Sequence, residues 1–124
     1  MAMGAQPAEC RSGVVAALEL LASLQRGGLS HVVLCPGSRS APLAAAAGLL
    51  EGAGLRLHTA IDERSAAFFA LGLGRALGWP AAVITTSGSA VAHLLPAAVE
   101  ADTGTIPLLP VSYTHLTLPT KRIV

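Results

Sequence analysis

The sequence predicts an α/β protein, an open parallel sheet with helices on both faces. Two observations carry this. Short, near-continuous apolar runs at residues 31–35, 55–59, 81–85 and from 106 alternate with longer Ala/Leu-rich stretches of helical period. The first three runs each end in small polar or turn-forming residues, Pro36-Gly37-Ser38-Arg39-Ser40, Ile61-Asp62 and Thr86-Ser87-Gly88. Those are the strand-to-helix turns of a right-handed βαβ chain.

The elements follow in order. Residues 9–26 form a helix, because Val14, Ala17, Leu18, Leu21 and Leu24 fall on one face and Gly27-Gly28 ends it. Residues 31–35 are a buried strand. Residues 41–50 are an Ala/Leu helix that tolerates Pro42 in its first turn. Residues 55–59 are the second strand, and 63–77 the second crossover helix. In that helix Ala66, Phe69, Leu73 and Ala76 are expected to face the core, with Arg64 and Arg75 toward water. Gly72 and Gly74 weaken a helix, so close packing is their expected use. Residues 81–85 are the third strand. A helix at 89–101 is expected to kink at Pro96, which lacks the N–H for a bond to residue 92. A fourth strand starts at 106–109.

At 124 residues the chain is at most one ordinary domain, long enough to bury a core without disulfides or a structural metal. Only 12% of residues are charged and 3% aromatic, against 52% hydrophobic. The core is therefore built from Ala, Leu and Val. So sparse a supply of charge also predicts a covered surface, by further protein or a second subunit. A net charge of +1 with no basic stripe argues against nucleic acid. Cys10 and Cys35 match no metal spacing and read as reduced thiols of a cytoplasmic protein. No signal-peptide pattern opens the chain, and no apolar run reaches the ~20 residues of a membrane span.

In a parallel sheet the strand-to-helix turns gather at the carboxyl ends of the strands, where ligands bind. Glu63 starts a helix there. As an isolated Asp62-Glu63-Arg64 it would be a helix-stabilising acid; pointing into a cleft, it could hydrogen-bond a ligand nitrogen. Ser38 and Arg39 offer donors for a carboxylate or phosphate, or else a capping serine and a solvated arginine. Thr86-Ser87-Gly88 can lie against a planar ring, or simply cap a helix. His58 and His93 read as lone structural histidines. Nucleotide-binding glycine loops, a nucleophile elbow and zinc-ligand clusters have no counterpart in the sequence.

Taken together these turns resemble one family. Pro36-Gly37-Ser38-Arg39-Ser40-Ala41-Pro42-Leu43, His58-Thr59, Asp62-Glu63-Arg64, Ala70-Leu71-Gly72-Leu73-Gly74, Val83 to Ala92, Pro96-Ala97 and Glu100-Ala101 stand in order and spacing similar to the thiamine-diphosphate enzymes. Within them the match is to the 2-succinyl-5-enolpyruvyl-6-hydroxy-3-cyclohexene-1-carboxylate (SEPHCHC) synthases of menaquinone biosynthesis, and it covers about residues 10–109. The resemblance implies a pyrimidine-binding domain, truncated, in which Glu63 is the catalytic glutamate on N1′ of the cofactor's aminopyrimidine. It places Thr86, Ser87 and Gly88 near that ring, and Ser38 and Arg39 near the substrate carboxylates. The substrates implied are 2-oxoglutarate, which is decarboxylated, and isochorismate, which receives the succinyl carbanion equivalent. The metal implied is Mg2+, held with the diphosphate by a domain outside this chain, so no residue here is a metal ligand. The partner implied is a second subunit of a homodimer or homotetramer that completes the site, which leaves this chain inactive alone.

Ala60, His93 and Ser89 depart from residues common in that family. From Pro110 the composition also changes: residues 111–121 contain no glycine or alanine and are similar to a translated sequencing adapter. The expected boundaries are therefore 1–109 for the incomplete domain and 110–124 for a foreign tail. Two other readings stay open. An acetolactate-synthase-like enzyme would share the glutamate but lack Arg39 in its setting, and a non-catalytic α/β ligand-binding module would not depend on Glu63.

Overall fold

The computed structural model describes residues 8–37 and 40–112. The elements run α1 (Ala8–Arg26), β1 (His31–Leu34), α2 (Ala41–Glu51), β2 (Arg56–Thr59), α3 (Glu63–Leu77), β3 (Ala81–Thr85), α4 (Ser89–Ala92), α5 (Leu95–Gly104) and β4 (Leu108–Ser112). The four strands form one sheet in the order β2-β1-β3-β4, and every pairing is parallel. From β1 the chain steps outward to β2, then returns past β1 to β3. The order reverses there, so the crevice between the ends of β1 and β3 is the sheet's switch point.

Two cores flank the sheet. On one face Ala17 and Leu21 of α1 and Leu43, Ala46 and Ala47 of α2 meet Val32, Leu34, Ala82 and Ile84. On the other, Ala66, Ala67 and Ala70 of α3 and Ala97 of α5 meet Val33, Ala81 and Val83. Alternate strand residues supply the two sides, as the pleat requires. The sides also agree with right-handed crossovers, since α2 serves the outward step while α3 and α5 serve steps the other way. β3 is buried along its whole length, whereas the edge strand β2 is not.

Three expectations are corrected. Phe69 is 47% exposed and Ala76 is exposed; the buried face of α3 is Ala66, Ala67, Ala70, Leu71 and Gly74. Small side chains let that helix lie close to the sheet, and Gly74 explains how close: a Cβ there would run into the carbonyl oxygen of Pro107. Gly72 has open space around it, so close packing accounts for only one of the two glycines. Finally, Pro96 kinks nothing. The expected helix is two helices, and Pro96 stands in the first turn of α5, where no intrahelical partner for its missing N–H is lost.

β4 begins two residues later than expected and runs through Ser112. Pro110, Val111 and Ser112 pair with Val83, Ile84 and Thr85. Proline is tolerated in such an edge strand.

Candidate functional site

At the carboxyl end of the sheet three adjacent strands end within one residue of level. Leu34 stands opposite Thr59 on one side and Ile84 on the other. Pairing continues one residue beyond the strands: Cys35 N–H donates to the Ile84 carbonyl at 2.9 Å and Ala60 N–H to that of Leu34 at 3.0 Å. The three turns therefore leave the sheet side by side, as the sequence predicts.

The turn after β1 is tightly seated. Ser40 is fully buried; its Oγ donates to the Gly37 carbonyl at 3.0 Å, and its N–H donates there at 3.2 Å. Gly37 lies against the side chain of Thr86, where a Cβ would fall 2.8 Å from the Thr86 Cβ. The glycine's close approach is thus to the neighbouring turn of the protein itself. Ser38 and Arg39, the expected substrate-carboxylate residues, lie outside the described residues.

The turn after β2 delivers Glu63. Asp62 is the N-cap of α3, its Oδ2 accepting the Ser65 N–H at 2.9 Å and the Ser65 hydroxyl at 2.8 Å. Glu63 follows as the first helical residue and is half-buried. None of the side-chain hydrogen bonds among the described residues engages its carboxylate. It is near enough to the fully buried Cys35 thiol to act on it. Burial first, then the carboxylates of Glu63 and Asp62, push that thiol up to about 11. Cys35 is therefore a protonated, apolar-like floor to the site, not a nucleophile.

The turn after β3 supplies Thr86 and Ser87, half-buried, and Gly88, exposed at φ 84°. That angle favours glycine, and a Cβ on Gly88 would meet nothing within 4 Å. Open space beside bare backbone suits the edge or face of a flat ring. Beneath, Thr85 is fully buried with its hydroxyl on the Thr86 carbonyl at 3.0 Å. The fold thus brings Glu63, Thr86, Ser87 and Gly88 to one end of the sheet. The described grooves, of about 460, 490 and 510 Å3, lie elsewhere and none is lined by these four residues.

Residues 15–117 match the family described as "Thiamine pyrophosphate enzyme, N-terminal TPP binding domain". The chain belongs to this family. Among similar proteins, one from Synechococcus sp. (strain RCC307) is 64% identical over 101 residues, which is 82% of this chain and 18% of that protein. One from Synechococcus sp. (strain WH7803) is 70% identical over 93 residues, 74% of this chain and 16% of that protein. A third, from Prochlorococcus marinus (strain MIT 9313), is 69% identical over 83 residues, 66% and 14% respectively. All three are named 2-succinyl-5-enolpyruvyl-6-hydroxy-3-cyclohexene-1-carboxylate synthase. The chain spans less than a fifth of the length of these relatives. The family match runs past residue 109 to 117.

Among the described residues no three His, Cys, Asp or Glu side chains cluster as metal ligands do, and no helix is long and apolar enough to cross a membrane. One pair escaped sequence reasoning. His58 is not a lone histidine: its Nε2 is 3.0 Å from Nδ1 of His31. The signal available was a histidine in each of two runs predicted as strands of one parallel sheet, but only the strand order and register reveal that they meet.

Proposed function

We propose that this chain is the pyrimidine-binding part of a SEPHCHC synthase, which decarboxylates 2-oxoglutarate and adds the succinyl unit to isochorismate. The observation that carries the reading is Glu63: a half-buried carboxylate at the switch-point end, unengaged among the described side-chain hydrogen bonds, beside a glycine turn with open space. The relatives' shared name supports the product, and the two substrates are part of the proposal.

The residues fit an aminopyrimidine. Glu63 can accept a hydrogen bond from a protonated ring nitrogen and so hold a proton at N1′. Gly88 leaves room for the ring, and Thr86 and Ser87 flank it with hydroxyls and backbone groups. The fully buried, uncharged Cys35 lies close enough to feel the Glu63 charge and offers that carboxylate no competing positive partner. When bound, thiamine diphosphate supplies the carbanion stabilisation that decarboxylation needs. Ser38 and Arg39 are the residues proposed for the substrates' carboxylates; a planar guanidinium suits them. Mg2+ and the diphosphate are assigned to protein beyond this chain, and the complete site to a dimer or tetramer in the cytoplasm.

Glu63→Gln in the full-length protein tests the reading. The side chain keeps its shape and loses its proton-accepting charge, so kcat for 2-oxoglutarate decarboxylation is expected to fall by at least about 10²–10⁴-fold. Undiminished turnover would exclude Glu63 from catalysis and favour a binding module. The 124-residue chain alone is expected to show no turnover with cofactor, Mg2+ and both substrates.

A further inference from the structure

His31 and His58 are 27 positions apart in sequence and meet on the sheet face that α3 covers. The register sets this up. His58 stands opposite Val33, and His31 is two residues before Val33, so all three side chains point to the same side. The two rings are stacked, with centroids 5.3 Å apart and planes 9° from parallel. His58 also meets the ring of Phe69 of α3 edge to face, at 5.1 Å and 88°. A β1 ring, a β2 ring and an α3 ring are therefore in series.

An N···N contact of 3.0 Å between imidazoles holds one hydrogen: one ring donates and the other accepts with its lone pair. If both rings become imidazolium there is no acceptor, and two like charges face each other. We propose that the His31–His58 pair is an acid-sensitive latch. With one ring neutral it ties β1 to β2 and, through Phe69, to α3. Uptake of a second proton breaks the N···N bond and loosens the edge strand together with the helix that begins at Glu63. The inference does not rest on the cofactor reading.

The surroundings work in the same direction. Arg56 of β2 stands opposite His31 in the register and adds a positive charge. Glu51, at the end of α2, lines a groove along β2 with Arg56 and His58. The side of α3 that reaches the pair presents Phe69, which is uncharged, while Arg75 lines a groove with Gly104 and Ile106. β3, on the other side of β1, carries no charged residue. Burial first, then His58, then Arg56, lower the His31 pKa from its ordinary 6.5. A base whose folded pKa is depressed contributes stability above its unfolded value and loses it as pH falls through the folded one. The latch therefore contributes in full above about pH 6.5 and is lost as pH falls through the lower folded value of His31.

Unfolding midpoints of the 124-residue chain, followed from about pH 7.5 to about pH 5, test this against variants with either histidine replaced by glutamine, which can hydrogen-bond but does not titrate. The wild-type unfolding constant is expected to rise more steeply with acid than that of H31Q or H58Q, by up to about tenfold per pH unit for one extra proton. Parallel curves would overturn the proposal. Ring-nitrogen resonances of the wild type give an answer even if a variant does not fold. The expected result is a His31 titration below that of a free peptide histidine, accompanied by faster exchange of the Arg56 and Ala60 amides, which donate to the Ser30 and Leu34 carbonyls. Two rings titrating independently at about 6.5, with β2 exchange unchanged, would also overturn it.

Discussion

Asp62 satisfies two donors with one oxygen. The Ser65 backbone bond, and after it the Ser65 hydroxyl, hold its carboxyl below the ordinary 3.8. Because the folded pKa is the lower one, the cap's contribution is present above about pH 4 and is lost as pH falls through the folded value. Asp62→Ala should lower the thermal midpoint at neutral pH, and Asp62→Asn, still an acceptor, should restore most of it. The gap between Asp62→Ala and wild type should narrow as pH falls through the folded value, down to the part a neutral acceptor supplies. A gap unchanged in acid would mean the carboxylate's charge contributes nothing to the cap. The cap was legible in the sequence, since an acid before a helix is a local signal. Gly37 was only half legible. Its need for close approach could be read, but the object it approaches, Thr86, follows a strand the sequence cannot place next to it. The histidine pair was illegible for the same reason.

Within α3, Gly72 and Gly74 look equivalent in the sequence and are opposite in the fold. Gly72→Ala enters open space and gains helix propensity, so denaturant unfolding should show about 0.5–1 kcal/mol of stabilisation. Gly74→Ala drives a methyl into the Pro107 backbone carbonyl and should cost about 1–3 kcal/mol after that gain. Equal effects at the two positions would contradict the packing of α3 against the start of β4. Helical period did locate the core face of α1, where leucines mark the stripe. It failed on α3 because the apolar residues run round the helix: the aromatic ones suggested a core, while alanines and a glycine make the closer contact. Pro96 was misread because a proline between two helical stretches looks the same whether it bends one helix or opens another. The alternation of elements was enough to predict a parallel sheet, whereas the strand order β2-β1-β3-β4 is decided by contacts far apart in sequence.

For the whole molecule, pairing of Pro110, Val111 and Ser112 in β4 does not decide whether residues 110–124 are native. Strand pairing uses backbone groups that any sequence supplies. The buried Ser112 Oγ has no hydrogen-bond partner among the described residues, a defect native strands mostly avoid. Resequencing the DNA past the codon for Leu109 is expected to replace the tail with a different frame; an unchanged tail would make β4 native throughout. Exposed apolar side chains, of the kind a covered surface would bury, stand on both helical layers, with Val15, Leu20 and Leu49 on α1 and α2. Ile61 is 89% and Leu95 63% exposed, and Phe68, Val91 and Val99 are exposed with them, in the turn before α3 and along α3 to α5. The relatives are more than five times longer than the segment they share with this chain, so in them further protein is available to cover the matching surface. Burying a side chain of this size is worth about 1.5–3 kcal/mol, enough for several to drive association when nothing else covers them. Light scattering of the 124-residue chain is therefore expected to report a mass that rises with concentration. Leu95→Glu, which places a charge in the middle of the apolar layer without touching either core, should move the onset to higher concentration. A mass independent of concentration would show that the alanine-rich fold tolerates its exposed apolar residues as a monomer, and that the scarcity of charge needs no partner to explain it.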